Sequence, residues 1–199
     1  MLACLPSACG AWPGSDMDPL LTILKRLLDQ KVELVIVGGM AAMYHGSTMV
    51  TQDIDFCVPF DVPTMAGIID ALRPIKPTFR MRPDRMPMYD DPARLAGLNL
   101  LAIETELGVV DFLKEVSGVG AFPEAAAQSE PIEVAEGIVC PVLTLEALIN
   151  AKRAAGRPKD RLAVTVLESL RGKLRQLNLP FDEPKPKTLD SDRSPNPPV

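Results

Sequence analysis

The 199-residue chain contains a single histidine, His45. A zinc site built from several imidazoles is thereby excluded, and a Ser-His-Asp triad is open only through His45. Aromatic residues make up only 5%, too few for a platform on which single-stranded nucleic acid would stack. Basic charge is not in excess. Against 21 Lys+Arg stand 26 Asp+Glu, a formal net charge of -5, which argues against generic polyanion binding. The four cysteines, Cys4, Cys9, Cys57 and Cys140, form no Cys-x-x-Cys pair. Cys57 and Cys140 lie in apolar runs and read as small buried hydrophobes of a reducing, cytoplasmic compartment. No apolar run reaches the roughly 18–20 residues of a membrane span. No basic region precedes the weakly apolar start, so a signal peptide is not expected.

Apolar residues make up 47% of the chain, enough to bury a core. The 20 prolines are concentrated between Pro59 and Pro92 and again from Pro180 onward. This patterning predicts a flexible leader over 1–16, with Met17 as a candidate start, one domain over 17–179, and a disordered tail over 180–199.

Asp18-Pro19 predicts the start of a helix through LLTILKRLLDQ. VELVIV reads as a buried strand ended by Gly38-Gly39, and MAAMYHG as a short helix closed by Gly46. DIDFCV is a second strand, and VPTMAGIIDALRPI an amphipathic helix. The stretch 74–94 holds five prolines and four arginines. It is expected to be a long loop, with neither helix nor central strand, and so a lid, an acceptor-binding surface or only a mobile segment. LNLLAIETE and VVDFLKEV predict two strands turning at Leu107-Gly108, and PIEVAEGIVCPVL two more around Glu136-Gly137. Thr144 suits the N-cap of LEALINAKRAAG, and Pro158 opens a final helix. The fold class is α/β (α+β), a small mixed sheet flanked by helices.

The carboxylates carry the chemistry. Asp53 and Asp55 stand two apart on a strand, so both face one side while Ile54 and Phe56 face the other. Their mutual repulsion is relieved by a cation, and oxygen ligands at this spacing suit magnesium. A bare pair of acids on a solvated strand edge is the bland alternative. Gly38-Gly39, between a buried strand and a helix, lets backbone amides approach a phosphate or simply makes a tight turn. Asp111 interrupts a later apolar strand in the same way. Three acids on strands and a glycine turn are the minimum equipment for metal-assisted phosphoryl or nucleotidyl transfer.

The segment GGMAAMYHGSTMVTQDIDFCV resembles the core motif of the nucleotidyltransferase superfamily, which has the fold of DNA polymerase beta. It also resembles the small bacterial minimal nucleotidyltransferases of toxin–antitoxin and abortive-infection systems. TLEALINAKRAAGRPKDRLAVTVLESL is similar to the segment that closes many small members, so the likeness runs from about residue 19 to about 172. It implies that Asp53 and Asp55 hold magnesium or manganese on a nucleoside triphosphate. It further implies that Asp111 completes a second metal site and helps deprotonate an attacking hydroxyl. Gly38, Gly39, Thr51 and Lys152 are the candidate nucleotide-binding residues. For Lys152 the alternative is a helix terminus paired with Asp160, for Thr51 an ordinary strand residue, and His45 is expected to pack or cap. The resemblance implies transfer of a nucleoside monophosphate to a hydroxyl of a protein, a tRNA or a small molecule, with a cognate toxin or antitoxin as partner. Met49 stands where many relatives carry arginine, with Lys152 and the Arg80–Arg85 stretch as candidate replacements. That departure favours the alternative, a non-catalytic nucleotide-binding or partner-binding member, whereas the three retained acids favour the enzyme.

Overall fold

The computed structural model describes residues 18–82 and 84–177. The leader expected over 1–16, the candidate start at Met17 and the tail expected over 180–199 lie outside these residues.

Helix α1 (Pro19–Asp29) begins where the Asp18 carboxylate accepts the Leu20 N–H at 2.8 Å. Strand β1 (Val35–Val37) runs into α2 (Gly38–Tyr44), and β2 (Asp53–Cys57) is followed by α3 (Val62–Leu72). Then come β3 (Thr78–Phe79), α4 (Pro92–Ala96), β4 (Leu100–Thr105) and β5 (Gly108–Leu113). A small hairpin of β6 (Glu115–Val116) and β7 (Gly120–Ala121) leads into α5 (Phe122–Ala127). The chain continues through β8 (Ser129–Ala135), β9 (Ile138–Leu143), α6 (Leu145–Ala155) and α7 (Pro158–Gln176).

Seven strands form one mixed sheet in the order β3-β4-β5-β2-β1-β9-β8. The pairs β2–β5 and β1–β9 are parallel and the other four antiparallel. Helices flank it, as the sequence pattern predicts. The alternation along β2 is the organising feature. Ile54 and Phe56 are fully buried, as are Val110 and Phe112 on β5, and the Phe56 and Phe112 rings stack with centroids 5.8 Å apart. Burying each such side chain contributes about 1.5–3 kcal/mol. The aspartates between them must therefore face the opposite side of the sheet.

Two expectations need correction. The stretch 74–94 is not free of structure: β3 lies in it and α4 begins at Pro92. Proline is tolerated at the first helical position, where its missing N–H costs nothing, and Asp91 caps the turn by accepting from Ala93 at 3.0 Å. Strand β3 sits at the sheet edge, consistent with the exclusion of a central strand. VVDFLKEV is also not one strand. It breaks after Leu113, and Glu115–Val116 pairs with Gly120–Ala121 in a separate two-stranded sheet.

Candidate active site

The acids predicted to act together are brought together by the register of two strands. Asp55 on β2 pairs with Asp111 on the parallel strand β5, and Asp53 lies two residues before Asp55 on the same face. Adjacent strands lie about 4.8 Å apart, so the three carboxylates crowd one patch of sheet.

Asp55 is held in place from the glycine turn. Gly38 has φ of +65°, and a Cβ there would lie 1.9 Å from Asp55 Oδ2. Only glycine provides both the backbone conformation and the space. A Cβ on Gly39 would lie 2.7 Å from the Thr51 side chain. The Gly39 N–H donates to the Asp55 carboxylate. The glycine pair thus does more than make a turn, since it seats one carboxylate and makes room for a threonine. The Thr51 hydroxyl donates to the Asp53 carboxylate and, at 3.2 Å, to the Asp53 carbonyl. In this arrangement Thr51 orients Asp53.

The electrostatics follow from crowding. Burial and the negative charges of Asp53 and Asp111 push the Asp55 carboxyl up to about 6 from 3.8, against the opposing Lys152 charge and the Gly39 N–H. Burial raises Asp111 as well, although the Arg80 guanidinium pairs with it and pulls the other way. Asp111 Oδ1 is buried and has no hydrogen-bond partner, an unusual state for a buried carboxylate oxygen.

Two adjoining clefts, of about 310 and 200 Å³, open over this patch and share Asp55, Asp111, Lys152 and Arg157 in their walls. The larger also exposes Gly39, Met49, Thr51, Asp53, Arg80, Lys159 and Asp160, and the smaller is lined in part by Gly38. Four acidic and four basic side chains therefore meet in the larger cleft. Among them Asp160 is 1% exposed. It receives Arg157 Nε at 2.6 Å and lies 3.5 Å from Lys152 Nζ. Burial works to raise its pKa, but the hydrogen bonds and charges of Arg157 and Lys152 prevail and hold it below the usual carboxylate value. The two readings of Lys152 merge: it is paired with Asp160 and it lines the cleft.

His45 does not join the site. Its Nε2 lies 2.7 Å from the Leu143 carbonyl and its Nδ1 3.8 Å from Glu130, so it packs α2 against the far strands. Cys57 and Cys140 are buried free thiols pushed up to about 11 by burial, inert as nucleophiles. Of the arginine-rich stretch, Arg80 reaches the cleft. Arg82 turns to the Met86 sulfur and Arg85 to Glu104. Sequence spacing did not foretell the Arg80–Asp111 pair, because it depends on Arg80 aligning with β4, where its N–H donates to the Ala102 carbonyl.

Among the described residues, no three His, Cys, Asp or Glu side chains form a ready metal cage, and no helix is long and apolar enough to cross a membrane.

No protein-family model and no curated protein matches the chain. Among the solved structures similar to it are the following two. One is a Thermotoga maritima protein assigned as a nucleotidyltransferase, with TM-score 0.47 and 18% identity, covering 78% of this chain and 92% of that one. The other is the antibiotic-resistance factor ANT(2'')-Ia, with TM-score 0.43 and 20% identity, covering 81% of this chain and 95% of that one. At these values the likeness does not carry an activity or a substrate across.

Proposed function

We propose that the cleft transfers a nucleoside monophosphate from a nucleoside triphosphate to a hydroxyl acceptor. The observation that carries this reading is the register of Asp55 against Asp111 with Asp53 beside them. Folding does not call for three carboxylates gathered on one patch of a sheet otherwise packed with apolar groups.

The donor set suits a hard divalent cation. All the candidate ligands are carboxylate oxygens, and Asp111 Oδ1 is buried without a partner. Magnesium takes one or two carboxylates together with substrate phosphates, so a complete protein cage is not required. Asp53, Asp55 and Asp111 would hold magnesium or manganese, which when bound offsets the carboxylate charge and polarises the phosphates.

The chain's own residues do the rest. Thr51 and Gly39 fix Asp53 and Asp55 before substrate arrives. Lys152, Arg157 and Lys159 line the same cleft and supply positive charge for the phosphates. The acceptor oxygen bonds to the α-phosphorus, the bond from that phosphorus to the pyrophosphate oxygen breaks, and pyrophosphate leaves. The hydroxyl proton passes to Asp111, which lies in the same cleft. Arg80 stands in for the arginine that Met49 replaces, reaching the cleft from a different part of the chain.

A second reading, nucleotide binding without transfer, is favoured by the Arg80–Asp111 ion pair, which occupies one oxygen of the third carboxylate. We further propose a cytoplasmic place from the cysteine usage, one domain over 17–179 from the proline patterning, and a toxin or antitoxin partner from the sequence resemblance. The test is a thermal-shift series with each nucleoside triphosphate, with and without magnesium. Stabilisation that needs both, and is lost in Asp53→Ala, supports the site. No shift under any combination contradicts it.

A further inference from the structure

An apolar hollow of about 280 Å³ opens beside β4, walled by Phe79, Tyr89, Leu98, Leu100 and Ala102. Its aromatic wall is built. Phe79 and Tyr89 meet edge to face with centroids 4.8 Å apart, and the Arg94 guanidinium sits 3.6 Å from the centre of the Tyr89 ring. At its mouth Met81 is 75% exposed and Leu100 44% exposed. Apolar groups left open to water around a concavity mark a place for an apolar ligand.

Two relationships join the hollow to the carboxylates. Leu100 lines both the hollow and the cleft that contains Asp55 and Asp111. Ala102 is registered directly against Asp111, and Arg80, whose N–H donates to the Ala102 carbonyl and whose guanidinium pairs with Asp111, stands between the hollow and the third acid. The hollow lies on the β4 side of Asp111, whereas Gly38 and Gly39 lead from β1 on the opposite side of β2. The triphosphate and the occupant of the hollow therefore approach the acids from different sides. No carboxylate lines the hollow, and Arg82 does, so a polycationic molecule is disfavoured. The volume is near the lower end of small-molecule sites, which run from about 300 Å³ upward.

We infer that this hollow is the acceptor subsite, and that the acceptor is a small hydroxyl compound carrying one apolar ring, neutral or with a single negative charge. This rests on the nucleotidyl-transfer reading of the cleft. With the ring in the hollow, the hydroxyl reaches past Leu100 into the cleft of the acids. Its oxygen bonds to the α-phosphorus of the triphosphate, its proton goes to the Asp111 carboxylate, and pyrophosphate departs with the broken phosphorus–oxygen bond.

The test uses the full chain and ligand-observed NMR with 4-hydroxyphenylacetate, benzyl alcohol and, as a polar control, glycerol. Magnesium–ATP binding is measured in parallel. Met81→Trp narrows the mouth from an exposed position, and Phe79→Ala removes one wall. The expected result is binding of both ring compounds and not of glycerol. That binding weakens at least ten-fold in Met81→Trp, and magnesium–ATP binding stays within two-fold of the original. Ring compounds that do not bind, or bind equally to the variant, overturn the inference while magnesium–ATP binding persists. A ten-fold loss of magnesium–ATP binding in Met81→Trp also overturns it, since the hollow would then hold the nucleotide. If the unaltered protein binds no magnesium–ATP, the reading of the cleft itself fails, whatever the ring compounds do. Should Phe79→Ala fail to fold, Met81→Trp alone decides.

Discussion

Asp55 and Asp111 stand opposite one another in a parallel strand pair, each followed by a buried phenylalanine that stacks on the other's. The stacked rings fix the spacing of the carboxylates, and the carboxylates cannot separate without breaking the core beneath them. Repulsion is thus built into the sheet, and removing one charge should relieve it. Asp55→Asn is expected to raise the melting temperature of the ligand-free protein at pH 7. A shift from 3.8 to about 6 corresponds to on the order of 1–3 kcal/mol. Calorimetry checks this, and the same variant should lose magnesium-dependent nucleotide binding.

The pH dependence follows from the same group. The folded protein holds the Asp55 proton more tightly than the unfolded chain does, so between pH 3.8 and about 6 this residue's contribution to stability falls as pH rises. Magnesium–nucleotide binding should move the opposite way, strengthening as pH rises through about 6, because the ligand needs the carboxylate ionised. Titration calorimetry from pH 5 to 8 should show this rise in the unaltered protein and not in Asp55→Asn.

Gly38→Ala is expected to destabilise the fold by more than about 2 kcal/mol, combining the positive φ with a Cβ driven into the Asp55 carboxylate. Gly172→Ala is the control. Gly172 lies inside α7 with nothing within 4 Å of an added Cβ, so alanine there should stabilise by about 0.5–1 kcal/mol. Denaturant midpoints of the two variants should move in opposite directions.

Much of this arrangement was legible in the sequence. The alternation Asp53-Ile54-Asp55-Phe56 sufficed to place two acids on one face, and Gly38-Gly39 marked the turn beside them, because strand period and glycine conformation are local properties. The pairing of Asp55 with Asp111 was not legible, since it depends on which strands become neighbours. Which arginine of the candidate Arg80–Arg85 stretch meets the acids was not legible for a similar reason. Proline density pointed to a loop, and only the edge pairing of β3 with β4 carries the arginine to Asp111. The burial of Asp160 was likewise unmarked, although Arg157-Pro158-Lys159-Asp160 places the acid in the first turn of α7, three residues from its arginine.

Asp160→Asn is expected to cost about 1–3 kcal/mol of stability, because it leaves Lys152 and Arg157 without their buried counter-charge. Lys152 is 17% exposed and Arg157 58% exposed in their side chains, so water reaches them and moderates the loss. Nucleotide affinity should also fall several-fold as the two cations lose their anchor. Chemical denaturation and nucleotide titration on one preparation separate the two effects.

Incubation of the protein with magnesium, cell extract and a triphosphate labelled at the α-phosphate tests the central claim most directly, with the γ-labelled compound run in parallel. Nucleotidyl transfer predicts covalent α-label on an acceptor, no γ-label, and loss of the signal in Asp53→Ala and Asp55→Ala. Label that follows the γ-phosphate, persists in both variants, or is absent with all four triphosphates would contradict it.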